Sequence, residues 1–398
     1  MDELPLASVF PAASHEDWMA RAEAALKGAR FAEKLMWRSA DGQQYQPLYG
    51  QVAGPRAGRG TAAPWTIFQR ADHPDAAAAN AQLLDDLDNG ANGLTLVFTD
   101  AATARRFGLG ASKLPRVLKD VALHAIALRI EGSGAAALAS HIATQPLDPE
   151  RLAINFAAPS ADIAYRLSAQ GFGGPLMEAD GRGWHEKGVT PGQELGAVLG
   201  QAVSHLRALG NLSDERLARA VGVVLAADQD MFATLAKFRA MRLLWARILE
   251  ACGLPQAELS LHAETSWRMQ AVKDPHTNIL RATAAVFGAG LGGASSISVL
   301  PFSLAQGLPN AFARRVARNI QNVLIEEANL WRVVDPASGS GYVEQLTQDL
   351  TATAWDVFQK TERGIWPSGN ANSTTSLPVI GTSAYPLKAE HAAEVEVL

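Results

Sequence analysis

From Trp65 onward the chain alternates short apolar runs with stretches of helical periodicity. Runs at 94–98, 125–130, 152–156, 176–179, 221–226, 259–263, 296–300 and 330–334 each predict a strand. The segments between them carry helical spacing. In 310–327, for example, Phe312, Val316, Ile320 and Val323 or Leu324 recur every three to four residues. Strand and helix alternating in this way predict a parallel sheet, and eight units predict an α/β chain closed into a (β/α)8 TIM barrel.

A separate segment precedes that pattern. Ser14 with Asp17 three residues on is a capping-box start for a helix over 15–27 that stops at Gly28, with Trp18, Ala22, Ala25 and Leu26 as its apolar stripe. Residues 53–64 are rich in Gly and Pro and read as a linker. The expected organisation is an N-terminal helical arm and linker over 1–64, a barrel over 65–386 and a tail over 387–398. The arm is either a packed surface helix or a subunit contact.

Alternation in 259–264 puts Ser260, His262 and Glu264 on one face of a strand and Leu259, Leu261 and Ala263 on the other. In a barrel, chemistry belongs at the C-terminal strand ends. The residues expected there include Arg129 and Glu131, Glu178 and Asp180 with His185 and Glu186 just after, Asp228 and Asp230, and His262, Glu264 and Arg268. Two readings stay open: a mixed-charge mouth that could act on a ligand, or Arg–carboxylate pairs that neutralise one another in a polar core. His262 and Glu264 could form a metal pair or an acid/base pair, but without a third ligand at diagnostic spacing no metal site is expected.

Composition narrows the class. The chain has 398 residues, 48% hydrophobic and 19% charged, enough for a large buried core. A net charge of −5 with scattered Lys and Arg argues against nucleic-acid binding. No apolar run approaches the roughly 18 residues of a membrane span, and the acidic start at Asp2 and Glu3 is unlike a secretory signal, so a cytoplasmic protein is expected. A single cysteine, Cys252, excludes an intrachain disulfide and a multi-thiolate metal site.

Three motif-like strings fail on context. Gly288, Gly290 and Gly293 satisfy G-x-G-x-x-G but follow a helix and precede a strand, the reverse of the dinucleotide-binding order, which predicts tight helix packing instead. The Gly/Ser run 337–341 could cradle a phosphate, yet no Lys-Ser/Thr completes a Walker motif. Asp274 and His276 approach the D-x-H-x-x-G pattern of cobalt ligation in cobalamin domains, but Ile279 stands in place of the glycine.

Several further motifs, in fixed order, carry a resemblance. They are Ser39-Ala-Asp41-Gly42 with Pro47-Leu48-Tyr49, Trp65-Thr-Ile67, Asp88-Asn-Gly90, His262-Ala-Glu-Thr-Ser266, Asp274-Pro with Asn278, Leu280 and Arg281, Gly292-Gly-Ala294, Val299-Leu-Pro-Phe302, Ala317-Arg-Asn319 with Gln321, and Val334-Asp-Pro-Ala337 with Gly339-Ser340. Together they resemble methylmalonyl-CoA mutase, in particular the family's small (beta) subunits, over nearly the whole chain. The resemblance implies an acyl-CoA-binding TIM barrel, normally followed by a cobalamin domain, in an adenosylcobalamin enzyme that interconverts (R)-methylmalonyl-CoA and succinyl-CoA by a radical rearrangement.

Two departures shape the expectation. The catalytic large subunits carry a tyrosine after Trp-Thr-Ile and a Tyr-His pair near the fourth barrel strand; the corresponding positions here hold Arg70, and Arg182 with Gly183. His185, three before Gly188, fits the small-subunit pattern instead. After Pro386 only a short stretch remains, so adenosylcobalamin is expected in the complex and not on this chain alone. The expectation is a non-catalytic subunit, with no catalytic residue of its own, that stabilises a catalytic large subunit as a heterodimer and could pair with itself when isolated. Arg129, His185, Asp228, His262, Glu264 and Arg268 would line a vestigial pocket, with acyl-CoA binding left open. The alternative is the substrate-binding barrel of an active mutase whose cobalamin domain is a separate chain.

Overall fold

The computed structural model describes residues 13–369, 378–389 and 391–397. The first twelve residues of the arm, with the acidic start, and residues 390 and 398 of the tail lie outside the described residues.

Eight parallel strands form the centre: β1 (Thr66–Ala71), β2 (Gly93–Val97), β3 (Ala127–Glu131), β4 (Ala153–Asn155), β5 (Met177–Asp180), β6 (Val221–Ala227), β7 (Leu261–Thr265) and β8 (Ser296–Ser298). The ladder runs β4-β3-β2-β1-β8-β7-β6-β5, with the last strand bonded to the first. Backbone bonds from Phe156 N to Pro175 O (3.1 Å) and Ala158 N to Leu176 O (2.8 Å) close the remaining seam. Every residue of β2, β6 and β7 is buried, as strands covered on the outside by helices and on the inside by lumen side chains must be.

The arm begins with α1 (His15–Leu26), whose Ser14–Asp17 capping box forms as the sequence predicts. The barrel is wrapped by α2 (Ala76–Asp88), α3 (Ala135–Ile142), α4 (Ala161–Ala169), α5 (Pro191–Ala208), α6 (Met231–Ala251), α7 (Thr277–Leu291) and α8 (Ala311–Asn322); α9 (Gly341–Thr361) packs outside α5 and α6. The glycines of the dinucleotide-like string serve close packing. A methyl group on Gly288 would lie 2.7 Å from Met231 O, and one on Gly290 2.8 Å from the Trp65 ring.

Two strand assignments need correction. The first barrel strand is Thr66–Ala71, which the apolar-run criterion passes over because Gln69 and Arg70 interrupt it; both are buried and paired. The run 330–334 is not a strand. The helix after α8 widens into a π turn at Val323–Glu327 and ends at Asn329 in left-handed conformation (φ 55°), leaving Val333 59% exposed outside the sheet. The Gly/Ser run therefore follows no barrel strand. It leads into α9, where Gly341 packs against the backbone of Gly50.

Beyond the π turn the chain is anchored. Fully buried Arg239 of α6 donates from Nε to Asp335 (2.7 Å) and from Nη2 to Glu344 of α9 (2.9 Å). The other oxygen of Asp335 accepts from Ala57 N (2.8 Å), so one carboxylate holds linker, α6 and the entry to α9 together. Removing one partner of such a pair strands a buried charge. Arg239→Ala should lower unfolding stability by about 3–5 kcal/mol, read from the urea midpoint at constant slope; a loss under about 1 kcal/mol would mean the anchor is dispensable.

Candidate functional site

The barrel lumen is filled by charge. Arg70 from the end of β1, Arg129 and Glu131 from β3, Glu178 from β5, Arg182 from the short helix Arg182–Glu186 and Glu264 from β7 all converge there, each with its side chain at most 6% exposed. Alternation along each strand sends these residues inward and their apolar neighbours outward to the helices.

Glu131 is the hub. It is bonded by Arg129, by Thr103 Oγ1 and by Arg182 Nη1 (2.6 Å), with Arg70 Nη1 at 3.7 Å. Arg182 reaches on to Glu264 (3.0 Å) and Asp180 (2.8 Å). Arg129 also pairs with Glu178, which accepts from Asn155 Nδ2 (2.5 Å). Arg70 donates to Asp72 (2.7 Å), and Asp72 is bonded in turn by Arg314 of α8 (2.8 Å). Burial pushes the Glu131 carboxyl up, but the guanidinium groups of Arg182, Arg129 and Arg70 outweigh it and hold the carboxyl well below the usual range. Glu264 moves the other way: burial and the neighbouring Glu131 charge raise it against the pull of Arg182.

His262 sits at the opposite, N-terminal end of the lumen. Its ring nitrogens contact Ser296 Oγ (2.8 Å) and Ser298 Oγ (3.1 Å), and its ring packs edge-on against Phe68. Burial, then the positive charges of Arg129 and Arg182, depress its pKa well below the ordinary value, so the imidazole is neutral in the fold. A cavity of about 180 Å³ lies beside it at the N-terminal mouth, and one of about 190 Å³ bounded by Thr103, Glu131, Asp180 and Arg182 at the C-terminal mouth. Both are smaller than the roughly 300 Å³ at which small-molecule sites begin.

The expected site residues thus divide. Arg129, His262 and Glu264 meet in the lumen, with His262 below the charged layer and not at the C-terminal mouth. His185 and Asp228 lie to one side, in a second cluster: His185 Nε2 contacts Ser266 Oγ (2.8 Å), Nδ1 lies 3.5 Å from Glu194, and Asp228 stands 4.0 Å away. Glu194, fully buried on α5, is paired with Lys237 of α6 (2.8 Å). Ser266 and His185 have the spacing of a nucleophile and base, yet Ser266 is 1% exposed and its hydroxyl already accepts the Arg268 N–H as the cap of a turn. Arg268 is exposed and donates to His185 O (3.1 Å). Sequence reasoning took Arg70 and Arg182 as mere replacements and missed Arg314, Glu194 and Lys237, which reach the clusters from helices with no local motif.

Asp274 and His276 do not form a cobalt-ligating pair. Asp274 accepts from Thr277 Oγ1 at the start of α7, and the exposed His276 ring leans on Phe302. Among the described residues no three His, Cys, Asp or Glu side chains are grouped to hold a metal ion, and no helix is long and apolar enough to cross a membrane.

Residues 176–365 match the family model described as Methylmalonyl-CoA mutase. The chain is 37% identical to the methylmalonyl-CoA mutase small subunit of Streptomyces virginiae, an alignment covering 91% of this chain and 65% of that protein. It is 32% identical to the small subunit of Propionibacterium freudenreichii subsp. shermanii (90% and 64%) and 29% identical to the methylmalonyl-CoA mutase of Rhizobium meliloti (87% and 58%). The chain therefore spans 58–65% of the length of these relatives.

The depressed pKa of His262 has a signed consequence. Below the unfolded-state value near 6.5 the unfolded imidazole takes up a proton that the folded one refuses, so this residue makes stability fall as pH drops from about 6.5 toward its folded pKa. Urea titrations at successive pH values from 7 to 5 should show His262→Asn losing up to about 1.4 kcal/mol per pH unit less than the unaltered chain. Equal slopes would show that the His262 imidazole takes up a proton as readily in the fold as in the unfolded chain.

Proposed function

The chain belongs to the methylmalonyl-CoA mutase family, and from that premise we propose that it is a small subunit whose barrel does not catalyse and instead stabilises a catalytic large subunit performing methylmalonyl-CoA/succinyl-CoA isomerisation. The observation that carries this reading is the fate of two positions. Arg70 and Arg182, which stand where the resemblance places the large subunit's tyrosine and Tyr-His pair, are buried and locked into the lumen network.

Radical rearrangement of an acyl thioester requires the substrate in a water-excluded lumen and a general acid at its carbonyl. Here the lumen is occupied by paired side chains. Gly183, at the position of the histidine, offers no proton, although a side chain there would meet nothing within 4 Å. Arg129, His262 and Glu264 are on this reading remnants of a pocket, while His185, Asp228 and Arg268 hold the loops around its mouth. Adenosylcobalamin supplies the radical chemistry in the complex and is held by the partner.

The arm supports the partnership. No residue of α1 is buried; Trp18 and Leu26 of its stripe are only half-covered, with Phe31 meeting Trp18 edge-on. A helix with so little packing of its own gains stability by laying that stripe on another surface. In this proposal residues 1–64 embrace the large subunit and residues 65–386 form the barrel, in the cytoplasm.

Co-expression with the catalytic large subunit should give a co-eluting complex. Removing residues 1–36 should abolish co-elution while shifting the melting midpoint of the barrel by less than roughly 2 °C. Mutase turnover by this chain alone with adenosylcobalamin would overturn the non-catalytic reading, and acyl-CoA binding to the isolated chain by calorimetry would favour the substrate-binding alternative.

A further inference from the structure

An aromatic recess lies outside the lumen, where the segment 37–51 meets the first turns of α6 and α9. Tyr342, the second residue of α9, is at its centre. Around that ring stand Trp37 (centroids 6.2 Å apart, planes at 68°), Tyr49 (5.6 Å, 43°) and Phe232 of α6 (5.4 Å, 71°), so the rings form walls and not a stack. Together with Pro47 and Leu48 they line a recess of about 640 Å³, within the size range of small-molecule sites. The walls are fixed without a ligand. Buried Tyr45, edge-on to Tyr342, donates to Asp349 of α9 (2.9 Å), Gln43 Nε2 donates to Thr353 Oγ1 (2.9 Å), and Val52 N donates to Gly339 O (3.2 Å). Trp37 is nevertheless 39% exposed and Phe232 43% exposed.

Charge selects what the recess would take. Aromatic faces attract cations, and elsewhere the chain covers them itself: Lys187, Arg105 and Arg332 lie over Trp184, Trp267 and Trp331. Among the described residues no Lys or Arg lies over Trp37, Tyr49, Phe232 or Tyr342. Asp230, the N-cap of α6, stands just before Phe232, and burial followed by the negative charge of Asp230 pushes the Tyr342 hydroxyl up to about 12. The carboxylate's field thus reaches the centre of the recess. The opposite rim refuses an anion as well, because Glu344 already occupies the first turn of α9 and accepts from Gly339 N (3.1 Å). A primary ammonium or a guanidinium would give up hydrogen bonds to water against ring faces, whereas a quaternary ammonium has none to give up. We propose that this recess binds a small quaternary ammonium compound, its cationic head held among Trp37, Tyr49, Phe232 and Tyr342 on the side of Asp230. The site uses no residue of the lumen and stands whether or not the barrel catalyses.

Titration calorimetry of the full chain with choline chloride, run beside its uncharged carbon isostere neohexyl alcohol, tests it. Choline should saturate with a Kd of about 1 mM or tighter, and the isostere should bind at least about fivefold more weakly. Trp37→Ala and Phe232→Ala, both at exposed positions, should each weaken choline by about threefold to tenfold. Asp230→Asn retains a good helix cap and should weaken choline by about threefold while leaving the isostere unchanged. Failure of choline to saturate, an isostere that binds as tightly, or argininamide binding more tightly than choline would each overturn the proposal. So would an affinity for choline indifferent to Trp37→Ala and Phe232→Ala, or one that Asp230→Asn leaves intact.

Discussion

The rest of this structure depends on neutralising Glu131. A carboxylate with its side chain 3% exposed can remain ionised only if positive groups reach it, and Arg129, Arg182 and Arg70 do so from three different parts of the barrel wall. Each of those arginines then needs a further acceptor, which draws in Glu178, Asp180, Glu264 and Asp72. Charge balance thus propagates across the lumen from β3 to β5, β7 and β1. Strands that share no ladder hydrogen bonds are tied to one another through it.

The same network decides what the lumen can admit. In a TIM barrel the C-terminal mouth is the place for chemistry because loop residues there can differ without disturbing the packed layers below. Here the charged layer itself rises to the mouth, through Arg182 and Asp180, and small cavities remain on either side of it. Opening a passage for a ligand would break several buried pairs at once, each of them mutually dependent. Occupancy of the lumen by paired side chains is therefore built into this barrel, through residues that its strands and the helix Arg182–Glu186 supply together.

Much of this was legible in the sequence, for reasons that can be named. Seven of the eight strands announced themselves as apolar runs because parallel strands are buried on both faces; β1 did not, because Gln69 and Arg70 are buried by pairing and not by being apolar. The false strand at 330–334 shows the converse, since apolar residues can belong to a loop whose backbone is directed by Asn329 and Asp335 in left-handed conformation. Inward alternation of His262 and Glu264 was readable from period two, but not that one lies below the charged layer and the other within it. The Glu194–Lys237 pair joins residues distant in sequence on two different helices, and nothing local to either residue encodes the contact.

Helix α8 carries the charge constraint to the surface. Because β1 presents Gln69, the turn after it presents Asp72 and α2 presents Asp86, the surface that α8 must cover is polar; Arg314 accordingly donates to Asp72 and to Arg70 O, its carbonyl accepts from Gln69, and Arg318 meets Asp86. With Arg314, Arg318 and Gln321 on the inward face, Phe312 and Val323 lie exposed and Val316 and Ile320 half-buried on the rest of the helix surface. Periodicity identified the helix correctly and was silent about which side faced the core, because hydrophobic spacing is the same whether the stripe is packed within the chain or against another molecule. The polar inward face of α8 thus answers buried Asp72 and Asp86, and through Asp72 and Arg70 it is the outer end of the charge balance that begins at Glu131.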